Sequence, residues 1–425
     1  MMKKLKVVLI GAGNRGRTYT NYMKKSGKFE IVGVAEPIED RRELVRELHN
    51  IPEENCYDTW ETLLARPKFA DVAIISTSDA LHYAPAMKAI ELGYDLLLEK
   101  PAAPTPEECA DMANAAKAKG VKVLVCHVLR YTVFWGKMKK MIEEGCIGDV
   151  MSVHHVECVG NIHQSHSYVR GNWGNTAESS NMLLAKSCHD IDLIQWLIGS
   201  KCTHAQSFGS LSYFRRENAP EGAPEYCHEG CPHEADCYYA AQKIYGINAR
   251  GWYRGHAIQK PNPTEEMLNE MMRTTQYGKC VFKCNNDVVD HQVVNMEFEN
   301  GAVASFNMSG FNKGGRQIRI MGTDGELYGS HGDGVFYYYN FKTKETKEIK
   351  PSEEAVGESI ASGHGGGDGG IVEALYKYIA EGIVDSTLSE IGISVQNHLI
   401  VFAAEEARLN KTVVDVREYT AKYLK

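Results

Sequence analysis

The sequence predicts an α/β domain built on a doubly wound parallel sheet, followed by an α+β domain with an antiparallel sheet. In the first 127 residues, short apolar strand signals alternate with helix signals, which is typical of a parallel sheet. After about residue 150 the strand signals follow one another, and tight turns such as residues 299–301 and 323–325 separate some of them. We therefore predict one domain over residues 1–127 and a second over residues 128–425.

Length and composition support a folded protein with a large core. The chain has 425 residues, is 43% hydrophobic and carries a formal net charge of −8. This composition excludes disorder as the main state, and the mild acidity argues against nucleic acid as the main partner. Apolar runs stay well short of the roughly 20 residues that a membrane helix needs, and residues 7–10 are too short a stretch for a signal peptide. We expect a cytoplasmic protein without a membrane partner.

The first strand, residues 5–10, ends in the glycine-rich turn Gly11-Ala12-Gly13-Asn14-Arg15-Gly16, and a helical stretch follows. This order of elements gives the G-x-G-x-x-G pattern of a dinucleotide-binding fold. Gly11 would allow the tight turn, Gly13 the approach of a pyrophosphate and Gly16 the close packing of helix on strand. The cofactor contacts predicted from this turn are Gly11, Gly13, Asn14, Arg15 and Gly16.

An acidic residue, Glu36, ends the second strand about 20 positions after the last glycine. Its carboxylate would accept hydrogen bonds from the adenosine ribose hydroxyls and would repel a 2′-phosphate. Two arginines, Arg41 and Arg42, follow and weaken that preference. We predict that the cofactor is NAD rather than NADP.

Further strands are predicted at residues 70–76, 95–98 and 121–126, with helices at 83–92 and 104–119 between them. The carboxyl ends of parallel strands meet at one edge of a sheet, where ligands bind. The cofactor contacts predicted at this edge are Thr77, His82, Glu99 and Lys100. The substrate contacts predicted there are His127, Arg130 and Tyr131.

The most informative residue at this edge is Lys100, which precedes Pro101 and directly follows a buried strand signal. An ammonium group beside a carbinol and a nicotinamide would hydrogen-bond the substrate oxygen and stabilise charge that develops on it. Taken alone, a solvated surface lysine is the more common explanation of such a residue.

In these residues the sequence resembles the Gfo/Idh/MocA oxidoreductases, the relatives of glucose–fructose oxidoreductase and inositol dehydrogenase. The glycine motif, Glu36, His82 and the Glu99-Lys100-Pro101 triplet carry the resemblance, which extends over most of the chain. It implies a Rossmann domain followed by a domain with a large, open, mostly antiparallel sheet. It also implies a nicotinamide cofactor, a sugar or cyclitol substrate, a catalytic role for Lys100 and a homodimer or homotetramer.

A second family signature falls at His189, just before an amphipathic helical stretch. The resemblance implies that His189 is the acid/base on the reacting hydroxyl and that Asp192 is the acid that follows it. The family pattern has an acid four residues before His189, but this sequence has Ala185 there. The next residue is Lys186. This departure argues against an inositol dehydrogenase. Three roles stay open for the predicted catalytic residue Lys186: orienting a sugar hydroxyl, lowering the basicity of His189, or pairing in a salt bridge.

Residues 161–173 follow the first strand of the second domain, and the resemblance implies that they line the substrate cleft. The substrate contacts predicted there are His163, Arg170 and Trp173, with Trp173 suited to stack on a pyranose. A solvated loop is the alternative. The glycine-rich run at residues 364–370 predicts a loop near the same cleft, with Asp368 capping the next helix.

An insertion near residues 207–274 contains three closely spaced cysteines. Thiolates close together can fold a loop around Zn²⁺, so we predict a structural zinc site, with an iron–sulfur cluster and unligated thiols as alternatives. The fourth ligand is predicted to be Cys280, with Cys284, His228 or His233 as alternatives. The predicted ligands are Cys227, Cys231, Cys237 and Cys280.

The leading functional hypothesis is an NAD-dependent oxidoreductase that acts on a sugar or glycoside, with His189 taking the hydroxyl proton and Lys100 steadying the developing alkoxide. The alternative is redox-neutral glycoside cleavage by oxidation, elimination, hydration and reduction. A third hypothesis is a non-catalytic NAD-binding sensor, against which the retention of Lys100 and His189 argues.

Overall fold

The first part of the chain folds into a parallel sheet flanked by helices. The structure is a computed structural model, and it describes residues 4–260, 262–351 and 366–424. The strands are β1 (Leu5–Ile10), β2 (Phe29–Ala35), β3 (Cys56–Tyr57), β4 (Val72–Ile75), β5 (Asp95–Leu98) and β6 (Val123–Val125). The helices are α1 (Asn14–Ser26), α2 (Glu39–His49), α3 (Trp60–Leu64), α4 (Tyr83–Glu91) and α5 (Pro106–Lys119). The strand order β3-β2-β1-β4-β5-β6, with parallel pairing throughout, confirms the predicted doubly wound sheet.

Local sequence explains why these elements begin and end where they do. Strand β4 is buried at each position because helices cover both faces of the sheet, so it reads as a continuous apolar run. Helix α5 starts at Thr105, whose side chain accepts from the backbone N–H of Glu108, and Pro106 follows at the first helical position. It ends at Gly120 in the left-handed conformation.

The second part of the chain is built on a large mixed sheet. Its strands are β7 (Val150–Cys158), β8 (Cys202–Ser210), β9 (His291–Phe298), β10 (Val303–Ser309), β11 (Gly315–Gly322), β12 (Gly325–Ser330), β13 (Val335–Asn340), β14 (Thr346–Ile349) and β15 (Val413–Asp415). The strand order is β14-β13-β12-β11-β7-β10-β9-β8-β15. Strands β7 and β10 pair in parallel, and the other neighbours pair antiparallel. The predicted α+β domain with a mostly antiparallel sheet is therefore confirmed.

The remaining helices cover one face of this sheet, fill the insertion or, in the case of residues 367–376, pack against α1 of the first part. They are α6 (Val133–Glu143), α7 (Asn161–Ser167), α8 (Met182–Ala185), α9 (Cys188–Ile198), α10 (Ala241–Tyr245), α11 (Tyr253–Ile258), α12 (Glu265–Thr274), α13 (Gly367–Tyr376), α14 (Ile391–Asn410) and α15 (Val416–Ala421). Helices α10 to α12 form a small hydrophobic cluster of their own, centred on Tyr245, Leu268 and Met272. A search of the described helices for a membrane-spanning segment finds none of sufficient length and hydropathy.

One predicted strand is wrong over much of its length. The apolar pattern at residues 279–298 predicts a strand throughout, but β9 begins only at His291. Before it the chain turns, with the N–H of Lys283 bonded to the carbonyl of Cys280 at 2.9 Å. Residues 285–287, Asn-Asn-Asp, favour turns. Cys280 and Cys284 therefore do not share the face of a strand.

Candidate active site

The glycine turn between β1 and α1 has the shape that a dinucleotide needs. Gly11 has a φ of +89°, and a Cβ there would lie 2.7 Å from the carbonyl oxygen of Ser76. A Cβ at Gly16 would lie 2.3 Å from the carbonyl oxygen of Gly11. Around Gly13, by contrast, a Cβ would meet no atom within 4 Å. Two glycines are thus required by packing, while the third opens space at the helix N-terminus, where a pyrophosphate fits.

Glu36 is fixed at the end of β2 beside this turn. It is buried, and its carboxylate accepts from the backbone N–H groups of Ala12 at 2.7 Å and Ile38 at 3.1 Å. The Arg42 guanidinium donates to the backbone carbonyl of Glu36 at 2.5 Å. An acceptor held at this place suits the ribose hydroxyls of an adenosine, so the residues present fit NAD.

Two predicted cofactor contacts, Arg15 and Glu99, contact each other. The Arg15 Nε donates to Glu99 at 2.7 Å, and its Nη2 donates to Asp368 at 2.6 Å. Burial alone would raise the pKa of Glu99, but Arg15 and Lys100 outweigh burial and lower it. The predicted capping role of Asp368 is wrong, because Gly366 precedes α13 and the Asp368 carboxylate pairs with Arg15. Residues 364 and 365 of the predicted loop lie outside the described residues.

His82 and Thr77 lie at the end of β4, next to the lysine strand. The His82 ring is fully buried, with its nitrogens 2.8 Å from the Pro101 carbonyl oxygen and 3.1 Å from the Thr77 carbonyl oxygen. His82 therefore ties the residue after Lys100 to the neighbouring strand end. Cofactor contact by His82 and Thr77 stays a prediction.

Lys100 reaches from the parallel sheet to the second domain. Its Nζ donates to the backbone carbonyl of Ala185 at 2.9 Å. Ala185 ends α8, and His189 lies in the first turn of α9 with 7% of its surface exposed. The structure thus brings the predicted catalytic residues Lys100, Lys186 and His189 to one place, although they are far apart in the chain.

Lys186 lies in a buried network of charges. Its Nζ is 3.2 Å from the carboxylate of Glu157 on β7. Arg316, directly opposite Glu157 on β11, lies 2.7 Å from Glu157 and 2.8 Å from Asp190. Burial lowers the pKa of Lys186, and the attraction of Glu157 opposes that shift. Of the three roles open for Lys186, the salt bridge is the one seen in this structure.

His127 lies next to His189, the predicted acid/base. Its ring is fully buried and stands edge-on to the ring of His189, with the centroids 5.7 Å apart. Burial lowers the pKa of His127 to about 3, so the ring is neutral at ordinary pH.

Arg130 and Tyr131, the other predicted substrate contacts at this strand end, bond to the protein interior. The fully buried Arg130 binds Asp192 through two bonds of 2.7 Å, and Asp192 also accepts from Asn397 at 2.6 Å. The Tyr131 hydroxyl lies 2.9 Å from the hydroxyl of Ser389. These hydrogen bonds give no support to the predicted sugar contacts, which stay predictions.

The three substrate contacts predicted in residues 161–173 separate in space. Trp173 is half-buried, and its Nε1 donates to Asp79, just beyond β4, at 3.0 Å. His163 lies near Lys186, whose charge adds to burial in lowering the His163 pKa. Arg170 is instead fully buried and donates to the carbonyls of Lys279 and Tyr239, both at 2.8 Å, so it anchors the insertion. Its contact with sugar stays a prediction.

The predicted zinc site is not supported. Cys227, Cys231, Cys237 and Cys280 line one cavity of about 30 Å³ together with Arg170. Within the described residues, however, no group of three or more His, Cys, Asp or Glu side chains has the geometry to hold a metal ion. The Arg170 Nη2 lies 3.7 Å from the Cys227 sulfur. The positive charge of a guanidinium at this distance disfavours a divalent cation beside the Cys227 sulfur.

Several residues at the site carry no signal in the sequence. Glu157 and Arg316 read as ordinary strand residues, and only the register of β7 against β11 places them opposite each other. Asp79 follows β4 and would have been found by extending the search for polar residues at strand ends. Trp252 in the insertion has no pattern that links it to the cleft.

Fold and site together define the class of oxidoreductases that hold a dinucleotide on a Rossmann sheet. Residues 5–127 match the profile of an oxidoreductase family, NAD-binding Rossmann fold, and residues 139–400 match its C-terminal alpha/beta domain. Both profiles are those of the Gfo/Idh/MocA oxidoreductases. The chain belongs to this family.

Three relatives illustrate this membership. The putative oxidoreductase YteT of Bacillus subtilis is 25% identical over 87% of this chain and 88% of its own length. The 2,7-anhydro-N-acetylneuraminate hydratase of Escherichia coli is 28% identical over 45% of this chain, and the match spans about half of that relative, 49%. The levoglucosan dehydrogenase of Pseudarthrobacter phenanthrenivorans is 26% identical over 99% of this chain and all of its own length (100%). A solved levoglucosan dehydrogenase with NADH and levoglucosan shares the fold, with a TM-score of 0.70 at 20% identity, covering 97% of this chain and 100% of that one.

Proposed function

We propose that this protein is an NAD-dependent dehydrogenase that oxidises one carbinol carbon of a sugar or glycoside, or reduces the corresponding keto carbon. The observation that carries the proposal is the bond of 2.9 Å from the Lys100 Nζ to the Ala185 carbonyl. It joins the end of β5 in the cofactor sheet to the segment that holds Lys186 and His189. The levoglucosan dehydrogenase relative supports a sugar as substrate.

When bound, NAD supplies the hydride acceptor, and the chain supplies position, charge and proton transfer. His189 accepts the proton of the reacting hydroxyl, since imidazole titrates near neutral pH. Lys100 donates a hydrogen bond to the same oxygen and stabilises its developing negative charge. The neutral ring of His127 adds no charge beside His189 and so does not hinder its protonation.

Lys186 is held in place by its partners. Glu157 balances its charge, and Arg316 fixes Glu157 from the opposite strand at 2.7 Å. A lysine that is buried and paired in this way has little conformational freedom. We assign to it the orientation of a hydroxyl next to the reacting carbon.

A second candidate function is redox-neutral cleavage of a glycoside. It is favoured by the hydratase relative and by Lys186, which stands beside Ala185 where the family pattern has an acid and whose pKa is lowered by burial. In this reaction Lys186 would remove the proton on the carbon next to the transient ketone. The net change is hydrolysis, and the cofactor ends in its starting state.

One experiment separates these functions. The purified protein is incubated with a panel of free sugars, methyl glycosides and nitrophenyl glycosides, with and without added NAD, while NADH absorbance and aglycone release are followed. NADH formation alone supports the dehydrogenase, and aglycone release without net NADH supports the cleavage. If the protein binds NAD but shows neither NADH formation nor aglycone release, both the dehydrogenase and the cleavage proposals are contradicted. That result would favour a non-catalytic sensor.

We further propose a cytoplasmic homo-oligomer that pairs through the open face of the large sheet. That face carries Phe208 and Val303, which are 51% and 45% exposed and point to the side away from the helices. The twelve free cysteines are compatible with a reducing compartment. A monomer in light scattering at micromolar concentration would contradict the pairing.

A further inference from the structure

Aromatic rings from α7, from residue 173 and from the insertion pack together in one group. We call it the aromatic wall; it comprises His163, His166, Trp173, Trp252 and His256. Trp252 directly precedes α11 and is 50% exposed. Its indole stands edge-on to His163, His166 and His256, with centroid distances of 5.3, 5.1 and 5.6 Å. One side of the indole is thus covered by imidazoles, while half of it is open to solvent.

The wall rests on a rigid support. His166 on α7 is fully buried, and its ring nitrogens lie 3.0 Å from the Tyr245 hydroxyl and 3.0 Å from the His256 Nδ1. These contacts join α7 to both α10 and α11. Ile162 on α7 also packs against the hydrophobic cluster of the insertion. The exposed indole is therefore held in a defined place, which reduces the entropy that a ligand would lose on binding.

The wall extends from the insertion to both sides of the cleft. At one end His163 lies on α7, which follows β7, and Glu157 of β7 lies 3.2 Å from the Lys186 Nζ. At the other end the Trp173 ring lies nearly parallel to His256, with centroids 6.2 Å apart, and bonds to Asp79 beyond β4. A molecule with its reacting carbon near Lys100 and His189 would therefore have the wall as its neighbour.

The wall has the chemistry of a neutral surface. Burial lowers the pKa of His163, His166 and His256, so the imidazoles stay uncharged at neutral pH. Neutral aromatic faces bind flat apolar surfaces, such as the C–H face of a pyranose or an aromatic ring, and have no attraction for a phosphate or a carboxylate.

We infer that the aromatic wall binds the part of a neutral glycoside beyond the oxidised ring. The group attached through the glycosidic oxygen stacks its flat apolar face on the indole of Trp252. This inference rests on the proposed function and narrows its substrate class from sugars in general to glycosides with a second ring. A sugar ring and an aromatic aglycone share this chemistry, and the experiment distinguishes them.

The test compares three glycosides of the sugar that the activity panel identifies: the methyl glycoside, the phenyl glycoside and a disaccharide in which that sugar is linked to glucose. In the wild type, we expect a higher kcat/KM for the phenyl glycoside or the disaccharide than for the methyl glycoside. Trp252→Ala should reduce this ratio by about 3- to 10-fold, the value of one aromatic contact. Trp252→Phe should retain most of this kcat/KM ratio. That result would show that the ratio depends on an aromatic ring at position 252 and that the loss in Trp252→Ala does not come from misfolding.

Tyr238→Ala is the matched control, because Tyr238 is 56% exposed in the same insertion but outside the aromatic wall. In Tyr238→Ala, the kcat/KM of the phenyl glycoside or the disaccharide relative to that of the methyl glycoside should equal the wild-type ratio. Loss confined to the phenyl glycoside identifies an aromatic aglycone, and loss confined to the disaccharide identifies a second sugar. An unchanged ratio in Trp252→Ala, with all three compounds still turned over, overturns the inference.

Failure of the proposed function gives a different result. If no glycoside is turned over by the wild type, the dehydrogenase and cleavage proposals fail. In that case, calorimetric titration of the NAD-saturated protein with methyl and phenyl β-D-glucoside measures the affinity of the aromatic wall for each compound without requiring turnover. Equal affinity for the two compounds in that titration overturns the inference as well.

Discussion

The two sides of the cleft hold their charged groups in different ways. On the cofactor side, Glu36 is held mainly by backbone N–H groups of nearby residues, at 2.7 and 3.1 Å. On the substrate side, Lys186 is held by Glu157, which is in turn held by Arg316. Backbone groups are set by local structure, whereas a network of side chains needs strands that are distant in sequence. On the cofactor side, the contacts that hold Glu36 therefore come mostly from residues nearby in the sequence. On the substrate side, the contacts that hold Lys186 depend on the assembled fold.

The largest effect is expected where the two sides meet. Lys100→Ala and His189→Ala should each lower kcat by about 10²- to 10⁴-fold, because they remove the residues proposed as oxyanion donor and as acid/base. The affinity for NAD, measured by fluorescence titration, should stay close to that of the wild type. Lys88→Ala, which removes an exposed lysine paired with Glu91, serves as the control and should keep full activity. Full activity in either active-site variant would refute the assignment.

The next effect concerns stability at the base of the substrate side. Asp192→Asn leaves the buried Arg130 without its charged partner and should lower the free energy of unfolding by about 3–5 kcal/mol. Urea denaturation measures this change. The exposed pair of Lys140 and Glu144 gives the control, since Glu144→Gln should change stability far less.

Asp192 should also make the free energy of unfolding depend on pH. Burial by itself would raise the pKa of Asp192, but Arg130 and His127 outweigh burial and lower it. A depressed pKa gives stability that is fully present above the pKa of an unfolded aspartate, about 3.9, and is lost as pH falls through the lower folded value. Urea midpoints between pH 3 and 7 should show this acid loss in the wild type and a smaller loss in Asp192→Asn. Parallel curves would contradict the prediction.

A smaller effect separates two glycines of the cofactor side. Gly16→Ala should lower the free energy of unfolding by about 1–3 kcal/mol, because its Cβ would lie 2.3 Å from the Gly11 carbonyl oxygen. Gly13→Ala should leave stability unchanged, since φ is −66° and a Cβ there meets no atom within 4 Å. It should nevertheless weaken NAD binding on the order of tenfold, about 1.4 kcal/mol. Equal thermal destabilisation of the two variants would argue against the different roles assigned to these glycines.

The smallest effect tests cofactor choice. Glu36→Ser removes the negative charge that disfavours a 2′-phosphate and leaves Arg42 nearby. The ratio of kcat/KM for NAD to that for NADP should fall by about tenfold, or 1.4 kcal/mol. Glu43→Ser, which removes an exposed carboxylate on α2, should leave the ratio unchanged. An unaltered ratio in Glu36→Ser would show that another residue selects the cofactor.

The sequence predicted the parallel sheet well because its elements are defined by local patterns. The predicted strand at residues 95–98 has the bounds of β5, and the predicted helix at 104–119 differs from α5 only at its start. The strand predicted at 279–298 failed because an apolar run does not tell a strand from a buried turn. Strands β12 to β14 carry a different kind of sequence: the tyrosines of β12 and β13 are half-buried, and three of the four residues of β14 are polar and exposed, so a buried face hardly shows in the pattern.

By itself, the sequence determined the order of the two architectures, the glycine turn with Glu36, and the identity of Lys100 and His189 as candidates. These features depend on neighbouring residues, or on motifs whose spacing is preserved in the chain. Only the tertiary structure decided that Arg170 anchors the insertion, that the cysteines form no metal site within the described residues, and that Glu157 and Arg316 hold Lys186. Each of these depends on contacts between segments far apart in sequence, for which strand register and burial set the distances.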